Sequence, residues 1–156
     1  MKTKLLILSL LISATTIAGT VTSSNNGNWN TTSTWDTNAV PTDADDVIIA
    51  TGHTVNVINS TGVAESVTVN SGAKLRIYKT LTVDNASTNS GTLNVNDGGS
   101  FILSAGNFTN SGDLSIAKGR SMTMANSTTL TNSGNITLTS DSNEFASLKL
   151  NGTYTV

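Results

Sequence analysis

The chain has 156 residues, eight basic against ten acidic side chains, a net charge of −2 at pH 7 and no cysteine. This balance offers no basic stripe for nucleic-acid phosphates, and a chain without cysteine has no disulfide framework. Aromatic residues are 4% of the total, too few for a large aromatic core or a stacking platform.

Lys2 and Lys4 precede an apolar run from Leu5 to Ile12, and small residues follow as far as Ala18 and Gly19. This is the pattern of a secretory signal peptide over residues 1–19. The apolar run is less than half of what spans a bilayer. A secreted or cell-surface protein is expected, with no membrane span after cleavage.

Residues 20–46 carry Gly27-Asn28-Trp29, Thr34-Trp35, Pro41 and the acidic group Asp43, Asp45 and Asp46. Both tryptophans lie ahead of a repeat, where an open stack would expose its core. The segment is therefore expected to be an N-terminal cap, since unpaired strand edges invite aggregation. Tryptophan also grips sugar rings, but no third aromatic accompanies this pair, and capping is the reading.

From residue 47 to 156 the template apolar-x-apolar-x-x-Gly-x-x-apolar-x-apolar recurs. Val47, Ile49, Gly52, Val55 and Val57 make one copy, and Val67, Val69, Gly72, Leu75 and Ile77 the next. Leu93, Val95, Gly98, Phe101 and Leu103 follow, then Leu114, Ile116, Gly119, Met122 and Met124. A decayed copy starts at Ile136 and Leu138, with Asp141 in the glycine position. Copies begin at 47, 67, 93, 114 and 136, in steps of 20, 26, 21 and 22 residues. Self-similarity at this period marks the coils of a solenoid.

Each apolar pair puts two side chains on one face of a strand, because strand side chains alternate. The glycine between pairs serves a tight turn. A third short strand is expected around Leu81 and Val83, Phe108, and Leu130. The fold class is all-β: a right-handed parallel β-helix of about five rungs, with a β-sandwich as the alternative. At about 4.8 Å per rung the five make a rod about 24 Å long. The polar composition alone reads as disorder, but disordered tracts have no reason to repeat this spacing.

A second marker is Thr-Asn-Ser-Gly at 88–91, 109–112 and 131–134. Asn89, Asn110 and Asn132, stacked at one corner, are expected to form an amide ladder. Turn chemistry explains them better than a glycan-binding row.

Gly27-x-Trp29, Thr34-Trp35, Pro41, Asp46-x-Ile48, Gly52 and Val55-x-Val57 resemble the opening of β-helical regions in large secreted proteins of the Bacteroidota. Many of those are exported by the type IX secretion system, and similar openings occur in the eight-glycine extracellular domain family. The Thr-Asn-Ser-Gly repeats and the Ser147-Leu148-Lys149-Leu150 ending fit the same resemblance. It implies a right-handed β-helix at or beyond the cell surface, often one segment of a longer polypeptide, and it transfers no catalytic residue. The sorting region such proteins usually carry does not follow Val156, so a fragment or another export route is expected.

Chemistry is sparse. Sugar hydrolysis needs two carboxylates across a cleft, and the rungs from Leu93 to Met124 offer no acidic pair at matching outward positions. Asp43, Asp45 and Asp46 are dense enough for calcium, but solvating the entry to the first strand is the reading. Asp97 and Asp113 are expected in or beside turns. The single histidine, His53, falls in the first glycine turn, without partners for a metal or a nucleophile. Lys74, Arg76, Lys79, Lys118 and Arg120 are read as solvated charges rather than an acidic-polysaccharide site. No catalytic, cofactor-binding or metal-ligating residue is assigned, and no cofactor is expected.

Ice binding needs a uniform threonine ladder on a flat face. On the template's register the outward residues read Ile48, Thr68, Asn94, Ser115 and Thr137, then Asn56, Arg76, Ile102, Thr123 and Lys149. Neither row is uniform, and ice binding stays a minor alternative. The expected function is a non-catalytic extracellular structural or adhesin-like segment, a stalk or scaffold contacting glycans weakly if at all. A non-catalytic part of a carbohydrate-active enzyme is the alternative. Leu148, Leu150, Tyr154 and Val156 suggest a further strand, a truncated chain, and self-association through an open last rung.

Overall fold

A computed structural model describes residues 18–155. The signal peptide expected over 1–19 lies outside them but for its last two residues, and Val156 lies outside them too. Among the described residues no helix is long and apolar enough to cross a membrane.

The chain opens with two short strands, β1 (Thr20–Thr22) and β2 (Gly27–Asn28). The first full rung is β3 (Asp46–Ile49), β4 (Thr54–Val57) and β5 (Gly62–Ala64), and the second β6 (Ser66–Val69), β7 (Lys74–Ile77) and β8 (Thr80–Val83). The third is β9 (Ser87–Asn89), β10 (Thr92–Val95) and β11 (Ser100–Leu103), the fourth β12 (Asn107–Asn110), β13 (Asp113–Ile116) and β14 (Ser121–Met124). The fifth is β15 (Thr129–Asn132), β16 (Asn135–Leu138) and β17 (Ser147–Leu150), and β18 (Thr153–Thr155) starts the next turn.

Equivalent strands pair in parallel from rung to rung, giving a parallel β-solenoid with three sheets of seven, six and five strands. The seven-stranded sheet is β1-β3-β6-β9-β12-β15-β18, the six-stranded β2-β4-β7-β10-β13-β16, and the five-stranded β5-β8-β11-β14-β17. Two antiparallel sheets packed face to face, the sandwich alternative, are absent from the described residues.

Alternation drives the coil. In Ser66–Val69 the valines point inward and Ser66 and Thr68 outward, and the same pattern runs through most strands. Inward residues then stack into columns: Val55, Leu75, Leu93 and Leu114 on one wall, Leu81, Phe101 and Met122 on another. Each is buried. One rung cannot cover its own apolar face, so the stack carries the stability.

The register differs from the template in one respect. Val47/Ile49 and Val67/Val69 lie in the seven-stranded sheet, but Leu93/Val95 pair with Leu75/Ile77 in the six-stranded sheet. The step of 26 residues is thus one coil plus one strand. In the seven-stranded sheet Ser87 and Asn89 hold the inward positions that follow Val67 and Val69. An apolar template passes over them. The expected third strands divide likewise: Leu81 and Val83 belong to the five-stranded sheet, Phe108 and Leu130 to the seven-stranded one.

Corner length explains why asparagine sits at those inward positions. After β3 and β6 the turn to the next sheet has four residues, with Gly52 and Gly72 at φ +84° and +75°. After β9, β12 and β15 it has two, Ser-Gly each time. The tight corner turns backbone carbonyls inward, and these need donors. Asn89 Nδ2 donates to the Asp113 carbonyl at 3.0 Å, Asn110 Nδ2 to that of Asn135 at 3.2 Å, and Asn132 Nδ2 to that of Gly134 at 3.1 Å.

The segment 20–46 is more than a lid. β1 and β2 extend two of the sheets ahead of Val47, and a 3-10 turn at Thr32–Thr34 brings back the tryptophans. Trp29 and Trp35 meet edge to face at 5.2 Å, both buried, and Trp35 Nε1 donates to the Trp29 carbonyl at 2.8 Å. A side chain on Gly62, at the start of the five-stranded sheet, would lie 3.2 Å from the Trp29 indole. The tryptophans therefore fill the end of the coil where that sheet has no earlier strand.

At the other end the core thins. Ile136, Leu148 and Leu150 are half-buried, while Leu138 and Tyr154 are each 47% exposed and Phe145 72%.

Candidate functional site

The three outer faces differ in chemistry. On the six-stranded sheet the central outward column reads Asn28, Asn56, Arg76, Asn94, Ser115 and Thr137. On the five-stranded sheet it reads Val63, Thr82, Ile102, Thr123 and Lys149. Both are mixed.

The seven-stranded sheet is not. Its paired outward positions are Thr22, Ile48, Thr68, Thr88, Thr109, Thr131 and Thr155. This is one threonine per strand with a single interruption, at the 4.7–4.9 Å spacing of paired strands. The two outward rows drawn from the template mixed residues of different sheets, so the ladder is invisible in them. Beside it, Asn107, Thr129 and Thr153 form part of a second outward column.

Charge is segregated to match. The basic residues Lys74, Arg76, Lys79, Lys118, Arg120 and Lys149 all lie on the other two sheets or the corners joining them. Among the described residues, the one charged strand residue on the threonine face is Asp46, which accepts a hydrogen bond from Ser66 Oγ at 2.5 Å. The threonine hydroxyls that bond protein groups belong to Thr34, Thr37, Thr42, Thr51 and Thr128, none of them in the ladder.

The Thr-Asn-Ser-Gly motif builds both sides of this sheet. Its threonine faces solvent, and its asparagine points into the coil. Asn89 Nδ2 donates to Asn110 Oδ1 and Asn110 Nδ2 to Asn132 Oδ1, each at 2.7 Å. Asn89 and Asn110 are 0% exposed. Buried this way, they are closed to any glycan, in agreement with the turn-and-ladder expectation.

The other candidates resolve into local structure. Asp45 Oδ2 accepts from the Thr42 amide at 2.8 Å and the Thr42 hydroxyl at 2.7 Å, closing the turn before β3. With Asp46 turned to Ser66, the acidic group does not converge, and no cluster among the described residues is arranged to hold a metal. Asp97 sits in the corner after β10 and pairs with Arg120 one rung on, whereas Asp113 is the first residue of β13 and accepts from Asn135 Nδ2 at 2.8 Å.

His53 Nδ1 lies 3.0 Å from both the hydroxyl and the carbonyl oxygen of Ser23. Sequence reading missed this pairing across 30 positions. Ser23 is 3% exposed and its hydroxyl accepts from the Ala50 amide at 2.9 Å, so the pair stitches the opening segment to the first rung. A serine so enclosed presents no nucleophile to a substrate.

Lys118 Nζ reaches Asp141 at 2.7 Å across the eight-residue crossing from β16 to β17. Asp141 also accepts from the amides of Asn143 and Glu144, each at 2.9 Å. The lysine hydrogen bond, helped by these amides, lowers the Asp141 pKa to about 2 and raises that of Lys118. No cleft able to hold a small molecule is found among the described residues. The surface offers extended faces.

These features define a parallel β-solenoid with a sealed N-terminal end and one threonine-laddered face. Residues 20–134 match the family described as a domain of unknown function (DUF8693), and the chain belongs to that family. No curated protein and no solved structure matches the chain.

Proposed function

We propose that the chain is a non-catalytic extracellular structural segment, an adhesin-like rod that holds or presents other surfaces. The observation that carries this reading is the unbroken in-register stack, from the tryptophan pair to Leu150. A core continuous through every rung makes a stiff spacer, because each coil is held by both neighbours. The signal-peptide pattern at Lys2, Lys4 and Leu5–Ile12 supports export. The resemblance to secreted Bacteroidota β-helices supports a place at the cell surface. Glycan contacts, on this reading, are weak and spread over the outward Asn, Thr and Ser rows.

Two assays together test it: antibody labelling of intact cells expressing the full chain, and incubation of the purified protein with polysaccharides. Label on intact cells without released sugar ends is expected. Label that appears only after lysis overturns the surface reading. Turnover that a folded Asp45→Ala variant abolishes overturns the non-catalytic one.

A further inference from the structure

We propose that the outward face of the seven-stranded sheet binds ice. This goes beyond the rod reading and rests only on the geometry of that face.

The ligand of such a face must itself be periodic. The ladder repeats one hydroxyl and one methyl per strand in every rung but that of Ile48. The strand spacing of 4.7–4.9 Å is close to the oxygen repeat along one axis of ice. The sugar repeat of crystalline polysaccharides is longer, and among the described residues no outward position of this sheet carries an aromatic ring on which a sugar would stack.

Charge points the same way. An ion on the face would order water around itself and break a lattice. Among the described residues the cations lie elsewhere, and the one strand carboxylate, Asp46, stands in the first rung, where it accepts from Ser66. From β6 onward the described strands of this sheet carry no charged residue, so that part of the array meets an uncharged crystal without an ion of its own.

Rigidity completes the argument. Threonine is stiff at χ1, so the hydroxyl array loses little freedom on binding. Beneath it, the buried amides of Asn89 and Asn110 and the half-buried one of Asn132 tie three successive strands together at the same edge. Side-chain ladders of this kind are what keep a many-stranded sheet flat. Hydroxyls at fixed spacing then hold the waters they touch in lattice positions, and the methyls exclude disordered ones.

The experiment is growth of a single ice crystal in the purified protein under controlled cooling. Faceted crystals are expected, with a gap between melting and freezing that widens with protein concentration. Thr109→Tyr, or Thr68→Tyr if the first does not fold, should shrink that gap severalfold. Thr123→Tyr, on the five-stranded sheet, should leave it unchanged. Unshaped crystals in the folded wild-type protein overturn the proposal, whether or not the protein is retained on crystalline cellulose or chitin. An equal loss in the Thr109 and Thr123 variants overturns it too, since that effect does not belong to the face.

Discussion

The side-chain nitrogen of Asn89 donates to the side-chain oxygen of Asn110 at 2.7 Å, inside the coil and across 21 positions of sequence. The ladder has a direction, with Asn89 and Asn110 each donating toward the later rung and Asn132 ending it on the Gly134 carbonyl. It also has a start: the Oδ1 of Asn89 is buried without a partner, above Val69.

Asn110 is the middle step. Replacing it with alanine leaves Asn132 Oδ1 and the Asn135 carbonyl without their side-chain donor. The expected cost is about 2–3 kcal/mol, read from the urea midpoint. The orphan oxygen allows a sharper measurement. Val69→Asn puts an amide under Asn89, while Ile49→Asn meets Val69 instead. Both lose apolar contacts, but the first should be less damaging by about 1 kcal/mol.

Gly112 and Gly52 predict different penalties for the same change. A Cβ at Gly112 collides with the Gly91 carbonyl oxygen of the rung below, whereas at Gly52 nothing lies within 4 Å. Gly52→Ala should cost about 1–2 kcal/mol, from its left-handed backbone alone. Gly112→Ala must push two rungs apart and should cost more than about 3 kcal/mol. Chemical denaturation of the two variants separates backbone strain from steric collision.

Trp35 closes the N-terminal end through its contact with Trp29. Trp35→Ala should lower stability by about 3–5 kcal/mol. It should also expose the first rung, so gel filtration of the residual folded protein is expected to show higher oligomers.

Asp141 links Lys118 to the crossing before β17, with its pKa depressed from 3.8 to about 2. A carboxylate depressed in the folded state contributes its full stabilisation above the ordinary value. That contribution is lost as pH falls through about 2. The amide shifts of Asn143 and Glu144, followed by NMR, should therefore titrate at about 2. Lys118→Met should move the midpoint upward, since the lysine hydrogen bond is the largest cause of the depression.

The coil was legible in the sequence because alternation and turn glycines survive almost any register. The phase was not. A pair such as Val-x-Val carries no mark of the sheet it belongs to. The true column runs Val47, Val67, Ser87, Phe108 and Leu130, and its third member is a serine. Ser87 is tolerated inside because its hydroxyl accepts from the Val67 amide at 3.0 Å and donates to the Asn85 carbonyl at 3.3 Å. Aligning Thr88-Asn89-Ser90-Gly91 with Thr68-Val69-Asn70-Ser71 would have exposed the threonine face. The Ser23–His53 stitch has no such signal: nothing in either local sequence refers to the other.

Because all three sheets are parallel, every coil offers the next one the same finished edge. The end sealed by tryptophan is also the end that leaves the ribosome first. Each later rung then needs to close a loop of only about 20 residues onto structure already in place, a modest entropic cost that does not grow with the length of the rod. Assembly can proceed as a zipper, one coil at a time, in the order of synthesis.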